Sequence, residues 1–257
     1  MITTKVTNQL RKGFTGSTLK IIAIAAMFID HIGATILQKG ILKDLFLLPE
    51  SEFFAVLQTT PSLHAWYIVF YICRAVIGRI AFPLFCFLLI EGFLHTKDIK
   101  KYAIRLLAFA FISEIPFDFA IRGKILEFNG QNIFFTLFIG LLILIALEKL
   151  KKKLLKPQLM QMNVVILGMI VAFFLKTDYG AMGVLLIAIL YLFKDNKQYR
   201  LLLSAGLLII TGNPLGILAF VPTQFYNGQR GLESKYAFYI FYPLHLLLLG
   251  SILYFLF

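Results

Sequence analysis

Charge is scarce in this sequence. Only 13 acidic and 25 basic residues occur among 257, so 15% of the chain is charged. Cysteine is scarcer still, with two residues, and neither Cys73 nor Cys86 has a metal-ligand or disulfide spacing. Both lie in apolar runs, which excludes a disulfide- or zinc-stapled fold and leaves them as packing residues. No metal site is expected. No internal repeat and no low-complexity linker interrupts the chain, so a single domain over 1–257 is the economical description.

What fills the space is apolar. The chain is 60% hydrophobic, contains 27 phenylalanines and has a mean hydropathy of +0.84. Soluble domains sit at about 45–50% apolar. So much apolar surface does not fit inside a chain of this size, and a multi-pass membrane protein with the lipid bilayer as its surroundings is the reading.

The net charge of +12 invites a nucleic-acid reading, but its placement opposes one. Lys149, Lys151, Lys152, Lys153 and Lys156 share one short loop, and Lys5, Arg11 and Lys12 precede the first apolar run. Lys97, Lys100 and Lys101 follow the second run, and Lys194, Lys197 and Arg200 follow the sixth. This alternation is the positive-inside pattern of a membrane protein. Ala23-Ile24-Ala25 has the form of a leader cleavage site, but too few apolar residues precede it and the run continues beyond, so an uncleaved first span is expected.

Eight spans are predicted: 17–38, 64–94, 99–121, 131–150, 160–175, 179–194, 199–221 and 235–257. The expected fold is therefore an all-α membrane bundle of about eight transmembrane helices with both termini cytoplasmic. The second span is long, and Gly78, Arg79 and Pro83 predict a kink near its middle. Segment 39–63 reads as an interfacial amphipathic piece on the outer side. Together with 222–234, where Gly228 and Gly231 permit a flexible loop, it is expected to form an outer lid.

Ionisable residues inside spans are costly unless paired or watered, which makes them candidates for function. Here they are Asp30, His31, Arg74, Arg79, Glu91, Arg105, Glu114, Asp118 and His245. His31, Arg79, Glu114 and His245 fall at similar depth in four different spans, which suggests one polar chamber. Ordinary structural roles compete: an Arg79–Glu114 pair that fixes register, or a packing role for His245. Asp30 and His31, as helical neighbours, point about 100° apart and do not share one small contact.

Lys20 precedes His31 by 11 residues. On a helix this places the two within about 20° of one face and about 16 Å apart along the axis. A phosphate-bearing carrier with a long thin arm, such as coenzyme A, matches that stripe, with phosphates at Lys20 and the reactive end at His31. Lys101 and Arg105, one turn apart, would add to a basic mouth, and Arg74 is grouped with these cofactor-binding candidates.

Four segments in order carry a family resemblance: "LKIIAIAAMFIDHIG", "RAVIGRIAFPLFCFLLIEGFLHT", "KKYAIRLLAFAFISEIPFDFA" and "NGQNIFFTLFIGLL". With "YAFYIFYPLHLLLLGSI" near the end, they resemble the TraX family. That resemblance implies N-terminal acetylation of a pilin-like polypeptide, with acetyl-CoA as cosubstrate, in the bacterial cytoplasmic membrane. The family in turn resembles the broader transmembrane acyltransferases, which often show an Arg, ten intervening residues and then a catalytic His; here Lys20-x10-His31 occupies that frame, with Lys replacing the bidentate Arg.

The expected chemistry is acyl transfer to an amine or hydroxyl, with His31 as general base. Asp30, Arg79 and Glu114 complete the expected catalytic set, with Arg79 as the partner of Asp30. Asp118, Asn132, Thr136, Tyr242 and His245 are the expected acceptor-side residues. A proton-coupled transporter using the same buried groups is the rival reading, although no inverted repeat supports it. A third reading is a scaffold whose polar residues only specify packing.

Overall fold

Local signals set where the helices begin. Helix α1 (Gly16–Ile32) opens at Thr15, whose hydroxyl accepts the Thr18 N–H at 3.2 Å, the usual role of a threonine cap. The structure is a computed structural model that describes residues 13–153, 157–232 and 235–257. Lys5, Arg11 and Lys12, Lys156 of the lysine loop, and Glu233 and Ser234 lie outside the described residues.

α1 continues without a break into a π-wound stretch, Gly33–Ile41. Next come α2 (Lys43–Leu47) and α3 (Glu50–Thr59), then α4 (Pro61–Tyr71), which starts on Pro61. The 39–63 segment folds as a small helical layer with its own core of Leu42, Leu45 and Leu57. Phe46, Phe53, Tyr67 and Phe70 stack around it.

α4 leads through a π turn (Ile72–Ile77) and a 3-10 turn (Gly78–Ile80) into α5 (Ala81–His95). The expected irregularity in the second span is thus a change of helical winding over 72–80. α6 (Ile99–Phe117) is capped by the Asp98 carboxylate, which accepts Lys101 N–H at 3.0 Å, and runs into a π segment, Asp118–Arg122. α7 (Ile133–Lys153), α8 (Gln158–Phe174), α9 (Gly180–Leu192) and α10 (Lys197–Ile210) follow. A 3-10 turn (Pro214–Ala219) and α11 (Phe220–Gln224) precede α12 (Lys235–Leu256).

Among the described residues, four helices are long and apolar enough to cross a membrane: Gly16–Ile41, Pro61–His95, Ile133–Lys153 and Tyr236–Leu256. α6 is long enough but carries Lys100, Lys101, Arg105 and Glu114. α8 and α9 are apolar but have 17 and 13 residues, so α9 rises only about 20 Å against a hydrocarbon core of about 30 Å. α7 and α9 meet at the centre of the bundle, where Leu141, Leu144, Leu147, Leu186, Ile187 and Leu190 are buried. Outward, α6 and α8 expose Phe111, Ile112, Leu167, Phe173 and Phe174, the apolar exterior of a lipid-facing bundle.

The helices alternate between two ends. One, the basic end, carries the start of α1, the Lys149–Lys153 terminus of α7 and the α9–α10 turn with Lys194 and Lys197. The predicted seventh span, 199–221, is not one helix. Gly212 adopts a left-handed conformation (φ 72°) and Pro214 follows, so the chain turns at Thr211–Asn213 and heads back. It returns to the basic end, where Phe14 N–H bonds to Phe225 O at 2.8 Å and Gly16 N–H to Gln229 O at 2.8 Å. Segment 197–226 is therefore a hairpin that enters and leaves at the same end.

Two expectations change as a result. The described part of the 222–234 segment, residues 222–232, lies at the start of α1, not beside 39–63, so the two do not form a common lid. The chain also ends opposite to where it is first described: Gly40, at the far end of the first long helix, faces the Phe257 ring. The first and last described residues, Gly13 and Phe257, therefore lie at opposite ends of the bundle.

Candidate active site

α1 delivers Asp30 and His31 to a cavity of about 500 Å³ between α1, the 72–80 turns, α9 and the tip of the 197–226 hairpin. As the helical angle requires, the two side chains diverge. Asp30 turns to the second long helix, where Arg74 Nη1 donates to its Oδ2 at 2.5 Å. The expected partner was Arg79; one π turn earlier, Arg74 reaches it instead. Arg74 is thus held at the cavity wall rather than beside Lys20. Arg79 lines the same cavity and forms no hydrogen bond or ion pair among the described residues.

Two glycines make this contact possible. A methyl at Gly78 would lie 2.7 Å from Asp30 Cβ and Cγ, and one at Gly33 would lie 2.8 Å from Arg74 Cγ. Either would force apart the helices that carry the ion pair.

His31 turns toward α12. Its Nδ1 lies 2.6 Å from His245 Nε2, and His245 Nδ1 lies 2.8 Å from the Phe241 carbonyl oxygen. The two imidazoles are within 9° of parallel with centroids 4.9 Å apart. That separation is what a 2.6 Å nitrogen contact gives when both rings lie in one plane and meet edge to edge, so this is an in-plane hydrogen bond and not a face-to-face stack.

The geometry fixes the tautomers of the neutral pair. A carbonyl only accepts, so His245 Nδ1 carries the proton and His245 Nε2 the lone pair. His31 Nδ1–H must then donate, which leaves the lone pair of His31 on Nε2. Among the described residues that nitrogen has no hydrogen-bond partner, while the residue itself lines the cavity. Tyr242, 3% exposed, sets its ring edge-on to His31 with centroids 5.9 Å apart and packs behind the pair. His245 and Tyr242 therefore support His31 from behind and do not line the cavity.

The other expected residues divide in two. Asn132 is fully buried and fully used: its N–H and amide nitrogen both donate to Glu114 Oε2, the amide also donates to Ala110 O at 2.7 Å, and its carbonyl accepts Phe134 N–H at 3.0 Å. Asn132 and Glu114 are thus the cap that joins α7 to α6, and Glu114 is not paired with Arg79. Asp118, completely buried, pairs with Arg122 at 3.2 Å and accepts Glu127 N–H at 2.7 Å, which pins the 123–130 loop. Thr136 donates to Thr177 Oγ1 at 3.0 Å and to the Asp178 carbonyl, fixing the α8–α9 loop. None of the four lines the cavity.

At the basic end, Lys20 sits over the Phe238 ring at 5.3 Å, and Arg105 lies close to Tyr239 with its Nε buried without a partner. Both thus converge on the start of α12. Lys101 points elsewhere and pairs with Asp98 at 3.3 Å. The sequence reading missed Asp178, Tyr179, Phe82 and Asn213, all of which line the cavity. Tyr179 holds a left-handed φ of 59° and stacks on Phe82 at 3.8 Å. The polar runs Thr177-Asp178 and Thr211-Gly212-Asn213, lying between apolar helices, were the available signal.

Fold and site together define a helical membrane protein with a polar cavity lined by His31 and backed by a histidine pair. Comparison with known sequences narrows this. The family model described as TraX protein matches residues 15–253, and the chain belongs to that family. It is similar to a "Probable fimbrial assembly protein FimC, serogroup H1" of Dichelobacter nodosus, 29% identical over 268 residues that cover 93% of this chain and 95% of the relative. No solved structure matches.

Proposed function

We propose that the chain is a membrane-embedded acetyltransferase that moves an acetyl group from cytosolic acetyl-CoA to an amine, with His31 as the general base. The observation that carries this is the unpaired Nε2 of His31, its tautomer set by His245 and the Phe241 carbonyl. The acceptor nitrogen attacks the thioester carbonyl carbon, and His31 Nε2 takes the proton that the nitrogen sheds. Arg79, free of other partners, donates to the oxygen as it becomes an oxyanion. The C–S bond breaks, and the proton on Nε2 passes to the departing thiolate. Throughout, His31 Nδ1–H stays on His245, which stabilises the transient imidazolium.

Lys20 and Arg105 would take the phosphates of coenzyme A at the basic end, about 16 Å from His31 along α1. By the positive-inside rule, the lysines of that end favour a cytoplasmic side for it, in the cytoplasmic membrane of a bacterium. The similarity to a fimbrial assembly protein, together with the pilin acetylation that the TraX resemblance implies, favours a pilin-like polypeptide as acceptor. A proton-coupled transporter would use the same buried groups but has no need of coenzyme A.

Thermal stability of the purified protein with and without coenzyme A separates the two. The expected result is a rise in melting temperature for wild type and His31→Ala, and a smaller rise for Lys20→Ala. No rise in wild type would overturn the acetyltransferase reading.

A further inference from the structure

Once the paired groups are set aside, the cavity retains unused ones. Asp30 is bound to Arg74, and His31 is bound to His245 on one side. Asp178 accepts only the Tyr179 N–H at 3.1 Å through Oδ1 and has no ion pair among the described residues. Asn213 is only 6% exposed, yet neither its amide nitrogen nor its amide oxygen has a hydrogen-bond partner. Buried amides are nearly always paired, so one left open on both atoms beside a cavity calls for a ligand.

We infer that Asp178 and Asn213 form the acceptor subsite: the Asp178 carboxylate takes the ammonium of a peptide amino terminus, which releases one proton to water to become the attacking neutral amine, and the Asn213 carboxamide takes the peptide group next to it. This rests on the acyl-transfer reading above. A carboxamide offers one donor and one acceptor direction, which matches the C=O and N–H of a peptide unit and matches neither an apolar nor a purely anionic ligand. A hydroxyl acceptor would leave the charge of Asp178 unanswered.

Asp178 is also held rigidly. Its N–H donates to Gln131 O at 2.8 Å, the Gln131 N–H donates to Lys176 O at 2.9 Å, and Thr136 donates to its carbonyl. Next to it, the stacked pair of Tyr179 and Phe82 forms an aromatic wall of the same cavity. Asp178, Met182, Thr211 and Gly212 are the exposed lining residues. They lie at the α8–α9 loop and the hairpin tip, away from the basic end, so the acceptor would enter from the side opposite to coenzyme A.

The test uses the purified full chain and three probes: alanyl-alanine amide, its N-acetyl form, and lactoyl-alanine amide, in which a hydroxyl replaces the amine. Without acetyl-CoA, wild type should bind the free amine at least roughly tenfold tighter than either other probe, as expected for a hydrogen bond to a charged group. Asp178→Asn should lose that preference and raise KM for the amine by a similar factor, while keeping its coenzyme A shift as a folding control.

Asn213→Leu should bind all three probes more weakly without a lower melting temperature, because its amide has no partner to lose. A merely structural Asn213 would instead destabilise the protein and leave the probes equally bound. If amine binding depends on Asp178 but no acetyl transfer occurs, the subsite stands and the acetyltransferase reading falls. If transfer occurs and Asp178→Asn matches wild type in KM and in probe preference, the subsite is wrong.

Discussion

Replacing His245 by alanine removes the acceptor that His31 Nδ1–H meets at 2.6 Å, deep in the bundle where His245 is 3% exposed. Water does not replace that acceptor freely, so the N–H is left unpaired at a cost of about 1–3 kcal/mol. The ring can escape the cost by moving its proton to Nε2, but the nitrogen that faces the cavity is then no longer a base. Either way the same free energy is added to the barrier, which predicts a fall in kcat of roughly 5- to 150-fold. The upper part of the range is expected, because the imidazolium of the transition state also loses its acceptor. His245→Gln, which offers a carbonyl oxygen in its place, should recover part of the loss. The assay is acetyl transfer to alanyl-alanine amide in nanodiscs, with a thermal melt to confirm folding. A folded His245→Ala with wild-type kcat would refute the tautomer assignment.

Gly78→Ala places a methyl 2.7 Å from Asp30 Cβ; the overpacking should cost about 1–3 kcal/mol of stability and lower kcat by displacing α1, as read by thermal melt and initial rate. Glu114→Gln should lower the melting temperature through the α6–α7 cap yet leave KM for acetyl-CoA within about twofold, since Glu114 does not line the cavity. Trp66, the single tryptophan, is 43% exposed within the long apolar Pro61–His95 helix. Its fluorescence should be quenched by brominated lipid tails but not by aqueous iodide, and the reverse would contradict the membrane placement.

The sequence was most informative where one helix carried the signal. Composition showed the membrane class, and the divergent Asp30 and His31 on α1 pointed to the chamber. What it could not show were contacts set by winding. A π turn at 72–77 brings Arg74 to Asp30 in place of Arg79, and no periodicity of 3.6 reveals a π turn in advance. The hairpin tip was hidden because 199–221 is apolar apart from Arg200 near its start, Ser204 and the short Thr211-Gly212-Asn213 run, which looks tolerable inside a long span. Its return reverses the end at which α12 begins and so changes the side on which the chain ends. Asn132, Glu114 and Asp118 looked like ligands for the same reason that real ones do, because a buried helix cap and a buried binding group have the same residue types. Between the two asparagines, the count of satisfied hydrogen bonds tells them apart: the Asn132 amide is full and the Asn213 amide is empty.

The central claim is that acetyl transfer occurs at His31 Nε2. The most direct measurement is the initial rate of acetyl transfer from labelled acetyl-CoA to alanyl-alanine amide by wild type and His31→Gln, both folded in nanodiscs. Wild type should turn over, and His31→Gln should lose roughly 100-fold or more, within the range of a lost general base. Equal rates in the two proteins would contradict the claim.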